Sequence, residues 1–251
     1  MNTYDSITGD LRRLGIAPGD VVMAHASVRK LGPVIGGVNT VIRALLDAVG
    51  PHGTLLAYVD FERFFEDEQV DLMPVFDKRI AQAARDHGVL HETMRTWPGA
   101  IRSDHPDAGM LAIGAKAEWL TADHPFQYGY GPGSPLDKFL QLRGKVLMLG
   151  APLDTITLLH YAEHVADIPD KRVVRYKRLM PEGPQWVWFE EFDTSEPVHD
   201  ALPLNAFEQI AEAYPGKVRG RVGDADDVYL FDGTELVEFA VEWIKRQIRV
   251  L

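Results

Sequence analysis

The chain contains no cysteine. That absence excludes disulfides, thiolate metal sites and a cysteine nucleophile together, and it suits a reducing compartment. Basic charge is also in short supply, with 26 Lys and Arg against 37 Asp and Glu for a formal net charge of -11. A polyanion such as nucleic acid would be repelled over most of such a surface, whereas a small polycation would be drawn to it. No apolar run approaches the ~20 residues that a membrane helix needs. The opening MNTYDSITGD carries acids where a signal peptide needs an apolar core. The expectation is a cytoplasmic protein with neither membrane nor nucleic-acid partner. Internal repeats and low-complexity tracts are absent too, so neither a repeat array nor disorder is indicated.

What is present is a soluble, globular composition: 251 residues, 46% of them apolar, enough to bury a sizeable core. SITGDLRRLGI and GGVNTVIRALLDAVG have helical spacing, while VVMAHAS and GTLLAYVD are apolar runs of strand length. Helix, strand, helix, strand points to a layered α/β architecture. Residues 61–76 lose any period and read as a long acidic and aromatic loop, and a helix is expected over 78–95. MLAIG and KVLMLG are apolar segments of strand length, YGYGPGSP must turn sharply, and WVWFEEFDTS alternates as a strand. A helix near 206–214, a strand VYLFDG and an amphipathic helix LVEFAVEWIKRQI follow. No linker divides the chain, so residues 1–251 read as a single domain with room for two lobes.

TITLLHYAEHVADIP reads as a helix after KVLMLG, with Asp154 or Thr155 as its N-cap and Pro169 as its stop. Within it HYAEH spells the inverted zinc-peptidase pattern, two histidines one turn apart with a glutamate between. Glu235 and Glu238 downstream could offer a third ligand. Equally, a histidine near the carboxyl edge of a sheet is well located for proton transfer without metal. A third reading is a polar group satisfied inside the core.

The ordered blocks VVMAHASVRKLGPVIGG, GTLLAYVD, RSDHPDAGM, YGYGPGSPL, LMLGAPLDTITLLHYAEHVADIP and EEFDT resemble the aminoglycoside 3-N-acetyltransferases, the antibiotic N-acetyltransferase family. They run from about Gly15 to about Phe239, and the block around His160 is the most specific. The resemblance implies a mixed central sheet flanked by helices, a fold distinct from the common GCN5-type acetyltransferases. It implies acetyl-CoA as co-substrate, no metal, an aminoglycoside as acceptor and a monomer or homodimer. His160 then matches the proposed catalytic base and Glu163 belongs to the same motif, which makes the zinc spelling of HYAEH a coincidence.

Acetyl transfer to an amine needs a base with a pKa near neutrality and a carboxylate to orient it. Strand alternation puts Glu191 and Asp193 on one face of WVWFEEFDT, so Glu191 and Glu163 compete to orient His160. Thr157 could offer a hydroxyl to the thioester, and backbone amides at the helix start could help hold an oxyanion. No P-loop or dinucleotide fingerprint is present to take the coenzyme. The resemblance instead implies a coenzyme lining of Ser27, Val28, Arg29, Lys30, Leu31, Gly32 and Val34, with Arg102 and Ser103. For the polycationic acceptor the expected residues are Asp60, Glu62, Asp67, Tyr130 and Asp193.

Overall fold

The computed structural model describes residues 1–61, 74–168, 173–182, 185–192 and 206–249, with the backbone alone described at 173–177, 185–192 and 248–249. At its centre is β1 (Val21–Ala26), buried from Val21 to His25. An unbroken buried run of this kind belongs inside a sheet covered on both faces. β1 pairs in parallel with β2 (Thr54–Tyr58) on one side and β5 (Lys145–Leu149) on the other. Outside this trio pairing turns antiparallel. β4 (Met110–Gly114) joins β2 and β3 (Ile101–Arg102) joins β4, while β9 (Ala225–Asp232) joins β5 and β8 (Val218–Val222) joins β9. Among the described residues the order is β3-β4-β2-β1-β5-β9-β8, a seven-stranded mixed sheet.

Successive strand residues face opposite sides, so alternate positions feed two separate cores. Val22, Ala24, Leu55 and Leu147 pack under α1 (Tyr4–Leu14), α2 (Gly37–Val49) and α3 (Gly88–Arg95), through Ile7, Leu11, Val41, Leu45, Leu90 and Met94. Met23, Leu56, Val146 and Met148 pack on the other face. There they meet α4 (Ala117–Thr121), α5 (Pro135–Gln141), α6 (Leu159–Val165), α7 (Ala206–Ala213) and α8 (Gly233–Arg249), through Leu120, Phe139, Leu159, Ile210 and Ala240. Each fully buried Leu or Ile contributes about 1.5–3 kcal/mol. Burial of these stripes, more than helix propensity, fixes helices as short as α6. The layered α/β arrangement is the one expected. No helix among the described residues is long and apolar enough to cross a membrane.

β6 (Val173–Met180) and β7 (Gln185–Phe192) form an antiparallel hairpin outside the main sheet, in the register Val174↔Glu191. Arg178 ties it to the body through a buried bond from Nε to Asp107 Oδ2 at 2.8 Å and another from its terminal nitrogen to Oδ1 at 3.0 Å.

Two expected helices are shorter than their patterns. The span 78–95 is helical only from Gly88, because Ala83 bridges to Phe61, Arg85–His87 forms a 3-10 turn and Gly88 takes φ 78. The helix after β5 starts at Leu159, since Leu153–Thr155 closes its own 3-10 turn, and Leu158 stands at the N-cap without a side-chain bond. Asp154 and Thr155 therefore do not cap it.

Candidate active site

β1, β2 and β5 end on one edge of the sheet. α2 carries the chain from β1 to β2 on one side, and β5 flanks β1 on the other, which leaves a crevice at their carboxyl ends. A cavity of about 560 Å³ opens there, walled by His25 and Ala26 of β1, Tyr58 of β2, and Ala151 and Pro152 after β5.

His160, the second residue of α6, forms part of one wall. Its Nδ1 meets Glu163 Oε2 at 2.8 Å, a pairing that three-residue spacing on a helix permits. A neutral imidazole that donates from Nδ1 keeps Nε2 as an acceptor, so this bond selects the tautomer a base requires. Tyr130 stacks on the ring with centroids 4.6 Å apart, and Phe207 of α7 meets it edge-on at 4.8 Å.

Tyr130 reaches the imidazole because glycine flanks it on both sides. A Cβ on Gly129 would lie 2.6 Å from His105 Nε2, and one on Gly131 would lie 3.0 Å from His164 Nδ1. Thr157 also lines the cavity, and its carbonyl accepts from the His160 amide at 3.1 Å. The amides of Leu159 and Tyr161 likewise donate to carbonyls three residues back. These three amides are committed to the turn and cannot serve an oxyanion.

A second histidine wall was not foreseen from the sequence. His87 lines the same cavity and its Nε2 bonds to Asp60 Oδ1. Burial disfavours its charged form, but the bond to Asp60 and the charges of Asp60 and Asp86 outweigh this and raise its pKa. His91, one turn on, is held down to about 4, and His25 to about 3, in both cases mainly by burial. A signal for these residues existed: His87 and His91 stand four apart, and His25 is the next-to-last residue of an otherwise apolar strand.

A profile of the family described as Aminoglycoside 3-N-acetyltransferase matches residues 23–245. The chain belongs to this family. It is 44% identical to "Aminoglycoside N(3)-acetyltransferase III" of Pseudomonas aeruginosa, across 97% of this chain and 94% of that protein. It is 40% identical to "Aminoglycoside N(3)-acetyltransferase IX" of Micromonospora chalcea, across 98% and 95%. Among solved structures, "AAC-IIIb binary with CoASH" superposes with a TM-score of 0.93 at 46% identity, covering 98% of this chain and 97% of that one. "AAC-VIa bound to Sisomicin" does so at 0.90 and 37%, covering 98% of both. As an aminoglycoside 3-N-acetyltransferase family member the chain is an acyltransferase, and its fold is that of these enzymes rather than the GCN5 type.

Within this acyltransferase frame the residues implied for the coenzyme divide. Ser27, Val28 and Arg29 line the cavity. Lys30 instead pairs with Asp227, Leu31 is core, and Val34 pairs with Asn2 and packs against the core. Gly32, at φ 71, abuts Asp224 so closely that a Cβ would fall 1.9 Å from Oδ2. Arg102 and Ser103 lie away from the cavity. The Arg102 guanidinium donates to the carbonyls of Ala81 and Val59 beneath Phe76, and Ser103 Oγ accepts from the Met110 amide and meets His124 Nδ1. Both are buried, with the two terminal nitrogens of Arg102 and the hydroxyl of Ser103 bonded within the protein.

Of the residues implied for the acceptor, Tyr130 is at the His160 ring and Asp60 is engaged by His87. Glu62, Asp67 and Asp193 lie outside the described residues, as does the side chain of Glu191. Among the described residues no three histidines or acids gather as metal ligands, and Glu235 accepts from Tyr214 at 2.8 Å.

Proposed function

We propose that this acyltransferase moves the acetyl group of acetyl-CoA to the 3-amino group of the 2-deoxystreptamine ring of aminoglycosides, and thereby confers resistance to them. The observation that carries the reading is the His160–Glu163 pair on the wall of a cavity at the carboxyl edge of parallel strands. Relatives named aminoglycoside N(3)-acetyltransferase, a neighbour bound to CoASH and a neighbour bound to sisomicin support the substrates.

An ammonium group is not a nucleophile, so the acceptor must lose a proton. That proton goes to water before attack; as the C–N bond forms, His160 Nε2 takes the further proton that the amine nitrogen sheds in becoming an amide, and the Glu163 carboxylate stabilises the resulting imidazolium. Glu191 is the second carboxylate that the mechanism admits. Ser27, Val28 and Arg29 hold the coenzyme, with Arg29 placed to meet phosphate. Thr157 offers its hydroxyl to the thioester carbonyl. The net charge of -11, with Glu62, Asp67 and Asp193, draws in the polycation. Acetyl-CoA as donor agrees with a cytoplasmic setting.

A thiol-release assay with acetyl-CoA against a panel of aminoglycosides tests the proposal, with the product's acetylated amine located by NMR. Release that depends on a 2-deoxystreptamine drug and acetylation at the 3-amine are expected. Release with no drug in the panel, or acetylation elsewhere on the ring system, overturns the assignment.

A further inference from the structure

Two histidine–carboxylate pairs face one cavity. His160 bonds Glu163 through Nδ1, and His87 bonds Asp60 through Nε2. A tyrosine meets each ring: Tyr130 stacks on His160, and Tyr58 meets His87 edge-on with centroids 4.7 Å apart. The two tyrosine hydroxyls are 2.7 Å from each other, and Tyr58 donates to the Asp107 carbonyl at 2.9 Å. The acetyl-transfer reading gives His160 and Glu163 a task. It leaves His87 without one, and the Asp60 implied for the acceptor is bonded to His87 instead.

Transfer from a thioester to an amine moves two protons, one from the attacking nitrogen and one to the departing sulfur. We propose that His87 is the second proton-transfer residue of this active site and protonates the leaving thiol, while His160 deprotonates the amine. The proposal rests on the acetyl-transfer reading. As the C–N bond forms, His160 Nε2 accepts the amine proton. As the C–S bond breaks, its electron pair passes to sulfur, which takes the proton from His87 Nδ1. His160 ends as imidazolium and His87 as neutral imidazole, and exchange with water restores both.

The placement favours the donor side. His87 and Gly88 open α3 against the carboxyl end of β1, where a Cβ on Gly88 would lie 3.9 Å from the Ala26 carbonyl, next to Ser27, Val28 and Arg29. With Nε2 engaged by Asp60, Nδ1 is the nitrogen left to serve as donor.

The groups around His87 set its charge. Burial and the charge of Arg102 of β3 oppose the imidazolium, whereas Asp60 after β2 and Asp86 beside it favour it; His91 of α3 and His25 of β1, held to about 4 and about 3, are neutral where His87 titrates, and Tyr58 presents an uncharged edge. The balance raises the pKa of His87, as an acid working near neutrality requires. Asp60 is accordingly a positioning residue for His87, and its charge is spent there before any ammonium of the acceptor arrives.

The test compares acetyl-CoA with its selenium analogue, acetyl-seleno-CoA, whose selenol is far more acidic and departs without a proton. His87→Gln is expected to lower kcat with acetyl-CoA by roughly 100-fold, to flatten the alkaline limb of its pH profile, and to recover most of the deficit with the selenoester. Asp60→Asn, which keeps the His87 ring, should move the alkaline limb to lower pH, and it decides the matter if His87→Gln fails to fold. An equal deficit with both donors, or an alkaline limb that Asp60→Asn leaves in place, overturns the assignment of His87 alone. A wild-type enzyme that releases no thiol from acetyl-CoA with any aminoglycoside takes the acetyl-transfer reading down with it.

Discussion

Tyr130 lies nearly flat on His160, with ring planes 21° apart, and its hydroxyl meets that of Tyr58 at 2.7 Å. The stack and the Glu163 bond together fix where His160 Nε2 points. Tyr130→Phe keeps the ring and should hold kcat within about threefold of wild type. Tyr130→Ala removes one wall of the imidazole site and should lower kcat by roughly 10- to 100-fold, because small misplacements of a base cost about that much. Steady-state kinetics on the pair checks this, and equal losses in both would shift the weight from the stack to the hydroxyl.

His160→Ala should lose turnover by roughly two to four orders of magnitude, the usual range for a positioned acid–base group. Glu163→Gln should fall in the same direction, with the double variant little worse than the worse single, since groups acting as one unit are not additive. Isothermal titration should show coenzyme binding retained in all three. His164, four residues on and edge-on to Tyr128 and Tyr130, is outside this unit, and His164→Ala should cost far less. EDTA should leave the wild type unchanged. Equal damage from the two histidine changes, or activity lost to chelation and restored by zinc, would return HYAEH to its metal reading.

Much of this arrangement was legible beforehand. VVMAHA and KVLML are runs of strand length that are apolar but for His25 and Lys145, so strands β1 and β5 followed from the pattern, and the short turn after KVLMLG put the next helix near a carboxyl edge of the sheet. Helical spacing put His160 and Glu163 on one face, while the choice of His160 as base came from the family resemblance and left Glu163 and Glu191 both open as its partner. What was not legible depended on tertiary contacts. Asp154 and Thr155 have the chemistry of N-caps, yet they close a 3-10 turn three residues too early. Ala81 and Ala83 look helical, but the Ala81 carbonyl is taken by Arg102 and Ala83 bridges to Phe61. Arg102 entered the coenzyme lining through the resemblance, and nothing local announces that its guanidinium will be buried. The pairing of Asp60 with His87 joins residues 27 apart and lies beyond any periodicity.

Asp107 couples the hairpin to the tyrosine pair. Its carboxylate takes the buried Arg178 guanidinium while its carbonyl accepts from Tyr58. Asp107→Asn withdraws one charge from a buried ion pair, which typically costs about 3–5 kcal/mol. Urea unfolding should show a midpoint lowered accordingly with the slope unchanged. A loss under about 1 kcal/mol, the range of exposed pairs, would mean that this pair is open to water.

Acid should destabilise the protein well above the pH at which carboxylates titrate. His25, His91, His105 and His124 are all held below the ordinary histidine value, chiefly by burial: His25 to about 3, His91 and His124 to about 4, and His105 well below. Between pH 6.5 and about 4 the unfolded chain binds protons that the folded chain refuses. Stability is therefore complete above about 6.5 and falls as pH drops, by up to about 1.4 kcal/mol per pH unit for each such histidine. His87 has the opposite sign: its raised pKa contributes stability that is present below about 6.5 and lost as pH rises through its folded value. Four groups against one make the acid side dominate, and a domain with roughly 5–15 kcal/mol in hand cannot lose several such increments and stay folded. Chemical denaturation from pH 7.5 down to 4.5 should show a steady fall below about 6.5. His124→Gln, which can still bond to Ser103 Oγ and the Gly129 carbonyl, should make that fall shallower by about one proton. A midpoint that stays flat from pH 7 to pH 5 would show that these histidines take up protons in the folded state and that water reaches their rings.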